Sequence, residues 1–144
     1  MNMKLNSYIC LPGTAAAAID FYKEVFKTEP DAVSRFKDVP PSADIPVSSL
    51  TGAERIMHAS FTIGSDQLML SDAPENQDDT IVMGSQTQIS IHPDSREEAD
   101  RIFNQLAEGG EVVMPMVDAF WGDYFGMVKD KFGVRWMVNY HAED

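Results

Sequence analysis

The two halves of the chain carry the same succession of sequence patterns. In each half a short apolar run ends at a proline, and a segment with helical spacing of apolar residues follows it. The segments Ala18-Ile19-Asp20-Phe21-Tyr22 and Ala99-Asp100-Arg101-Ile102-Phe103 align with each other. Three further strand patterns complete each half. The chain is therefore predicted to be a single α+β domain, residues 1–144, made of two βαβββ modules at about residues 1–75 and 81–144.

Capping signals and alternation set the boundaries of the expected elements. Thr14 is a suitable N-cap for a helix that runs to about residue 27. In the second half, Ser95 and Glu98 have the spacing of a capping box, and Gly109-Gly110 ends the helix. The expected strands lie at about 5–10, 31–36, 56–63 and 67–71 in the first module, and at about 86–91, 111–116, 124–129 and 134–140 in the second.

Two segments lie outside this repeat. Residues 40–52 form a long insert in the first module, which is either a mobile loop that covers a pocket or a solvated surface loop. Residues 76–80 are acidic and are expected to link the modules. Tight turns at 64–66 and 130–133 are expected to join the last two strands of each module.

Composition and charge limit the classes of partner. With 144 residues, 44% of them hydrophobic, the chain is long enough to bury one core. Its 23 acidic and 11 basic residues give a net charge of −12, which repels phosphate backbones and anionic membranes, so neither nucleic acid nor membrane is an expected partner. No apolar run reaches the roughly 20 residues of a membrane helix, and the first residues are too polar for a signal peptide. The lone Cys10 suits the reducing cytoplasm.

Short motifs, taken in their order along the chain, resemble a known family. They are AIDFYKEVF at 18–26, MHASFTIG at 57–64, LMLSD at 68–72, EEADR at 97–101, EGG at 108–110, and a closing hairpin from Phe120-Trp121-Gly122 to Asn139. Together they resemble the PhnB-like branch of the vicinal-oxygen-chelate (glyoxalase/bleomycin-resistance/dioxygenase) superfamily, over nearly the whole chain outside 38–55. The resemblance implies modules that curl into a barrel-like mixed sheet with the helices outside, a ligand in the resulting cup, and a homodimer.

Strand alternation predicts which side chains face that cup. In the last strand, Trp136, Val138 and Tyr140 share the face that packs under a helix. The cup-facing side chains are expected to be Arg135, Met137 and Asn139, with Gln86, Gln88 and Ser90, and with Gln67, Met69 and Ser71. Buried amides need hydrogen-bond partners. This lining therefore either binds a polar organic ligand or forms an internal polar network.

The resemblance also implies a divalent metal on the first and last strands of each module. The matching positions are Ser7, Met69, Gln86 and Met137. None is histidine, aspartate, glutamate or cysteine, the ligands that hard and borderline divalent ions prefer, so neither a metal nor another cofactor is expected. The alternative is that the true ligands lie one strand register away. The protein would then be a metal-dependent lyase, isomerase or dioxygenase.

Five residues are predicted to bind the ligand. They are Gln86, Arg135, Asn139, His58 and Trp121. Arg135 requires an anionic partner, which is either an internal carboxylate or a carboxylate or phosphonate of the ligand. His58 is a candidate acid or base at the rim of the cup, and Trp121 offers a ring on which a planar ligand can stack. His92 and His141 are expected to be ordinary surface histidines.

Other reaction classes lack their motifs. The chain has no G-x-S-x-G or cysteine-nucleophile motif and no glycine-rich phosphate loop. PhnB-like sequences often carry a demethylubiquinone methyltransferase label, but these residues offer no methyl-donor site of the Rossmann type. Four carboxylates near strand ends are expected to form a solvated rim: Asp72, Glu75, Asp118 and Asp123. The function that remains is a small-molecule-binding protein whose reaction the sequence does not identify.

Overall fold

The computed structural model describes residues 3–38 and 50–142. Its helices and strands are β1 (Ser7–Leu11), α1 (Ala15–Phe26), β2 (Ala32–Arg35), α2 (Leu50–Glu54), β3 (Ile56–Ile63), β4 (Asp66–Asp72), β5 (Ile89–Ile91), α3 (Arg96–Ala107), β6 (Glu111–Asp118), β7 (Asp123–Lys129) and β8 (Arg135–His141). Within the described ranges, no helix is long and apolar enough to cross a membrane.

The strands form two four-stranded sheets, one in each half of the chain. Their orders are β1-β4-β3-β2 and β5-β8-β7-β6. In each sheet the first and last strands of the module pair in parallel, and the other neighbours are antiparallel. The chain divides into two compact units, Met1–Val82 and Met83–Asp144, and each unit holds one sheet. The predicted α+β class and the two βαβββ modules are confirmed, with α2 inserted between β2 and β3.

In the first unit, α1 covers one face of the sheet. The helix buries Ala18, Tyr22 and Val25, as its helical spacing predicts. On β4, Leu68 and Leu70 are buried, whereas the intervening Met69 is half-buried on the opposite face. This alternation confirms that one side of the sheet packs under the helix.

The N-terminus of α1 is held by an aspartate from β4, and not by the predicted cap. The side chain of Thr14 makes no capping hydrogen bond. Instead, Asp72 Oδ1 accepts the N–H of Ala15 at 2.8 Å, and Asp72 Oδ2 accepts the N–H of Ile56 at 2.9 Å. Asp72 is only 4% exposed. The expectation that it belongs to a solvated rim is therefore wrong, because its carboxylate satisfies two buried N–H groups that water cannot reach.

In the second unit, α3 covers β7 and β8. Ser95 accepts the N–H of Glu98 at 3.1 Å, so the predicted capping interaction is confirmed. Trp136 and Val138 are fully buried, and Tyr140 is half-buried. The indole of Trp136 donates to the buried carboxylate of Asp130 at 2.9 Å. The last strand therefore presents the predicted residues to the helix.

Three predicted boundaries require correction. The insert at 40–52 was expected to be a loop; residues 39–49 lie outside the described part, but the chain from Leu50 onward forms the short helix α2. Residues 76–80, expected as a linker, lie in a 3-10 turn that spans Glu75–Thr80, and Asp78 of this turn forms an ion pair with Arg55, which immediately precedes β3. The strand expected at 86–91 begins only at Ile89, because the chain bends at residues 85–86 and β5 pairs only with Trp136–Val138 of β8.

Candidate functional site

The face of the second sheet that points away from α3 carries most of the candidate side chains. Alternation places the odd-numbered residues of β7 and β8 there, since Val128, Trp136 and Val138 are buried on the other face. These odd-numbered residues are Asp123, Phe125, Met127 and Lys129 on β7, and Arg135, Met137, Asn139 and His141 on β8. The face is polar at both ends and rich in methionine at its centre.

At one end of this face, two cations stand directly opposite each other. Lys129 pairs with Arg135 in the antiparallel register, so their Cβ atoms lie about 5 Å apart. We call these two residues the cation pair. Arg135 Nε donates to the carbonyl oxygen of Gly84 at 3.2 Å. Among residues 3–38 and 50–142, neither cation forms an ion pair, although Glu111 lies opposite Lys129 on β6.

A cavity of about 290 Å³ opens beside the cation pair. Its walls are Met83, Gly109, Gly110, Glu111, Lys129, Asp130, Lys131 and Gly133. The carboxylate of Asp130 is already occupied, because it accepts the N–H groups of Phe132 and Val134 and the indole of Trp136. The other charged residues that line this cavity are Lys129, Lys131 and Glu111.

At the other end of the same face, the carboxylate of Asp123 bonds to three side chains. Asp123 pairs with His141 in the sheet register, and His141 Nδ1 contacts Asp123 Oδ1. Asn139 donates to Asp123 Oδ2 at 3.2 Å, and Trp121 also bonds to this carboxylate. We call Trp121, Asp123, Asn139 and His141 the Asp123 cluster. The bond from His141, ahead of those from Asn139 and Trp121, holds the pKa of Asp123 below its usual value.

Exposed aromatic rings border the Asp123 cluster. The ring of Trp121 lies 5.5 Å from that of Phe125 and 5.0 Å from that of Phe120, measured between centroids. Trp121 is 55% exposed and Phe120 almost fully exposed. Large aromatic side chains are usually buried in a monomer, so this surface is available to a ligand or a partner.

The corresponding face of the first sheet is less charged. Tyr8 donates from its hydroxyl to Ser71 Oγ at 2.8 Å, and its ring centroid lies 6.1 Å from that of His58. Ser60, opposite Met69, is buried. The predicted site residue His58 therefore sits among hydroxyl and phenol groups in the first unit.

The register changes which residues occupy the strand positions where the resemblance implies a metal. Tyr8, and not Ser7, pairs with Met69, and Ser7 lies on the α1 side with Ile9. Ser90, and not Gln86, pairs with Met137. Both corrections follow from where β1 and β5 join their sheets.

The donor atoms at these corrected positions do not fit a hard or borderline divalent ion. They are one phenol, one hydroxyl and two thioethers, whereas such ions prefer imidazole, carboxylate or thiolate. In the part of the chain that the structure describes, no three His, Cys, Asp or Glu side chains are grouped to hold a metal ion.

The five predicted site residues do not form one cluster. Asn139 and Trp121 meet at Asp123, whereas Arg135 lies at the opposite end of β8, six residues or about 20 Å from His141. Gln86 is exposed at a bend before β5, and His58 belongs to the first unit. The chain therefore has two separate polar centres on the second sheet.

Three residues of these centres were not predicted to bind a ligand. They are Lys129, Asp123 and His141. The sequence feature that could have indicated them is the turn at 130–133. A tight hairpin at this turn pairs residue 129 with 135, and the same register pairs residue 123 with 141.

Comparison with known proteins gives consistent matches along the chain. The family model of the glyoxalase/bleomycin resistance protein/dioxygenase superfamily matches residues 4–138. Protein YjdN of Escherichia coli K12 is 32% identical over 147 aligned positions, which cover 95% of each protein. The crystal structure of protein PA1353 from Pseudomonas aeruginosa has a TM-score of 0.80 at 35% identity and covers 99% of this chain and 100% of that one.

A second solved structure has the same fold at lower identity. It is described as a putative 3-demethylubiquinone-9 3-methyltransferase, PhnB protein, from Bacillus cereus. Its TM-score is 0.74 at 24% identity, and the match covers 96% of this chain and 99% of that one.

Proposed function

The chain belongs to the glyoxalase/bleomycin-resistance/dioxygenase superfamily, and on that premise we propose that it is a PhnB-like protein that binds a small anionic organic molecule without a metal ion. The cation pair, Lys129 and Arg135, is the anion-binding centre, and the cavity beside it receives the body of the ligand. A carboxylate or a phosphonate is the chemical group that the guanidinium of Arg135 binds best, because it can accept two parallel hydrogen bonds.

The observation that carries this proposal is the cation pair itself. Like charges directly opposite each other on two strands repel and destabilise a sheet. In a chain of net charge −12, carboxylates are plentiful, yet among the described residues none forms an ion pair with Lys129 or Arg135. An anion held between the two side chains would turn that repulsion into two favourable contacts.

The test compares single substitutions in an anion-binding assay. Purified protein is titrated with acetate, pyruvate and methylphosphonate, and binding is followed by calorimetry and by the shift in melting temperature. A charge-assisted hydrogen bond contributes about 1.5–3 kcal/mol, so Arg135→Met and Lys129→Met should each weaken binding about 10- to 100-fold. Glu111→Gln should strengthen it, because it removes the carboxylate opposite Lys129.

The matched control is Lys4→Met, which removes one exposed positive charge remote in sequence from the cation pair. If this control weakens binding as much as Lys129→Met does, the anion responds only to net charge. If Arg135→Met lowers stability by several kcal/mol and no anion binds the parent protein, Arg135 has an internal partner instead.

The metal-free part of the proposal has its own measurement. Elemental analysis is carried out on the protein purified with and without added Mn, Fe, Ni or Zn. We expect less than stoichiometric metal under every condition, because Tyr8, Met69, Ser90 and Met137 are poor ligands for these ions. One bound ion per chain would favour the metal-dependent lyase, isomerase or dioxygenase.

The proposal includes a homodimer in the cytoplasm. β6 is the edge strand of its sheet, and it exposes Val112, Val113, Met114 and Val117; Trp121 lies in the turn that follows this strand. Apolar edge strands are usually covered by a partner. Sedimentation should show a dimer of the 16.0 kDa chain. Val113→Lys should dissociate it, whereas Val82→Lys, at another exposed valine, should not.

A further inference from the structure

The cavity beside the cation pair has an acidic wall, which the binding of a simple anion does not use. Glu111 and Lys129 both line this cavity. The other carboxylate of the wall, Asp130, already accepts three N–H groups. Glu111 is exposed, and among residues 3–38 and 50–142 it forms no ion pair. The cavity therefore offers charges of both signs to a ligand.

These charges form one row across three strands. In the antiparallel register, Glu111 of β6 lies opposite Lys129 of β7, and Lys129 lies opposite Arg135 of β8. Neighbouring strands are about 4.8 Å apart, so the backbone of Glu111 lies about 10 Å from that of Arg135. Residues that lie opposite each other point to the same face of a sheet. The order along the row is therefore one negative charge followed by two positive charges.

A glycine fixes the acidic end of this row. Gly110 precedes Glu111, and a Cβ added to Gly110 would lie 2.2 Å from the carbonyl oxygen of Lys129. A larger residue would therefore force the backbone to shift. Because Gly110 has no side chain, the start of β6 can approach the end of β7 closely, and this approach places Glu111 at the wall of the cavity.

We propose that the ligand of this site is zwitterionic: an ω-amino acid whose carboxylate binds the cation pair and whose ammonium group binds Glu111. This inference rests on the proposed function, because it assigns the carboxylate to the same two cations. A zwitterion places an opposite charge beside each of the three side chains, whereas Glu111 repels a simple anion. The methylene chain of the ligand would cross the cavity beside Met83, an apolar side chain of its wall.

Strand spacing and cavity volume limit the length of the ligand. The two ends of the ligand would lie over neighbouring strands, so they should be separated by about 5 Å. The nitrogen and the carboxyl carbon are about 5 Å apart in extended 4-aminobutyrate and about 2.5 Å apart in glycine. A cavity of about 290 Å³ is small for a ligand site, which suits a short amino acid. 4-Aminobutyrate is therefore the suitable probe, and glycine is too short.

The experiment compares matched probes by calorimetry on the full-length protein. Butyrate has the carbon chain and carboxylate of 4-aminobutyrate without the ammonium group, and butylamine has the ammonium group without the carboxylate. The parent protein should bind 4-aminobutyrate about two- to fivefold more tightly than butyrate, which is the effect of one exposed ion pair. Butylamine should bind more weakly than 4-aminobutyrate, and glycine should bind no more tightly than acetate.

The variant Glu111→Gln should have opposite effects on the two carboxylate probes. It should weaken the binding of 4-aminobutyrate about two- to fivefold, because the ammonium group loses its partner, and it should strengthen the binding of butyrate, because a repulsion is removed. Glu108→Gln is the matched control, since it removes a nearby exposed carboxylate that does not line the cavity. This control should leave both affinities almost unchanged.

The inference is wrong if butyrate binds as tightly as 4-aminobutyrate, or if Glu111→Gln shifts both affinities in the same direction. Equal effects of Glu108→Gln and Glu111→Gln would also overturn it, because net charge alone would then explain them. Each of these results leaves anion binding at the cation pair intact. If neither carboxylate probe binds, or if Lys129→Met and Arg135→Met leave the affinity for butyrate unchanged, the proposed function itself is wrong.

Discussion

Asp72 offers the sharpest test of how the first unit is held together. Its two carboxylate oxygens accept the N–H groups of Ala15 at 2.8 Å and of Ile56 at 2.9 Å, and both bonds are buried. The carboxylate thus joins the end of β4 to the start of α1 and to the start of β3. We therefore expect Asp72→Asn to destabilise this unit, although the new side chain has nearly the same size and shape.

The magnitude follows from the number of bonds lost. The amide oxygen of asparagine can keep one N–H bond, but its NH₂ group then faces the other N–H, which is left unsatisfied. A buried hydrogen bond to a charged group contributes about 1.5–3 kcal/mol, so we expect a loss of about 2–3 kcal/mol for Asp72→Asn. For a chain of this length each kcal/mol lowers the melting temperature by about 2–4 °C, which gives a decrease of about 4–12 °C.

The assay must report on the first unit. Both tryptophans lie in the second unit, so fluorescence does not report on Asp72. Guanidinium unfolding followed by far-UV circular dichroism measures the loss, and amide hydrogen exchange at Ala15 and Ile56 locates it. Asp66→Asn, at the exposed start of the same strand, is the matched control and should change stability by less than about 0.5 kcal/mol. A loss below about 1 kcal/mol in Asp72→Asn, or unchanged protection of both amides, would refute the account.

Three further outcomes follow from the second unit. Ser95→Ala should cost about 0.5–2 kcal/mol in equilibrium unfolding, because it removes the cap of α3, and Ser85→Ala should cost almost nothing. Gly126→Ala should destabilise by about 1–3 kcal/mol, since an added Cβ would lie 2.9 Å from Phe103 and 3.0 Å from the carbonyl of Met114, whereas Gly84→Ala meets no atom within 4 Å. The pKa of Asp123 in the folded protein lies below its ordinary value of 3.8. Its ionised carboxylate therefore stabilises the folded protein above pH 3.8, and this stabilisation is lost as the pH falls through the folded pKa. Asp123→Asn should flatten this acid part of the curve of unfolding free energy against pH.

Helix capping shows where local sequence reasoning succeeds and where it fails. The Ser95 cap of α3 was predictable because donor and acceptor are three residues apart in the sequence. The same reasoning selected Thr14 for α1, but the acceptor that holds Ala15 is Asp72, 57 residues away. A cap supplied from a distant strand leaves no local pattern, and only the folded sheet brings it to the helix.

The candidate site shows the same division. Alternation placed Arg135 and Asn139 on one face, because side-chain direction in a strand is a local property. The same argument assigned Gln86 to a strand, but in the structure this strand, β5, begins only at Ile89. The length of β5 depends on how much of β8 it can pair with. Lys129 lies opposite Arg135, and His141 lies opposite Asp123, because of the hairpin register. The turn at 130–133 encodes this register, whereas the residue types alone do not.

The sequence by itself determined the duplicated βαβββ order, the apolar faces of α1 and α3, and the family. Each of these features is encoded by periodic patterns between residues that are near neighbours along the chain. Only the tertiary structure decided which charged groups meet. It left Lys129 and Arg135 side by side, gathered three side chains around Asp123, and buried Asp72 against two backbone N–H groups. The physical reason is that hydrogen bonds and ion pairs act over a few ångströms in space, and the residues they join are brought together by strand pairing and not by distance along the chain.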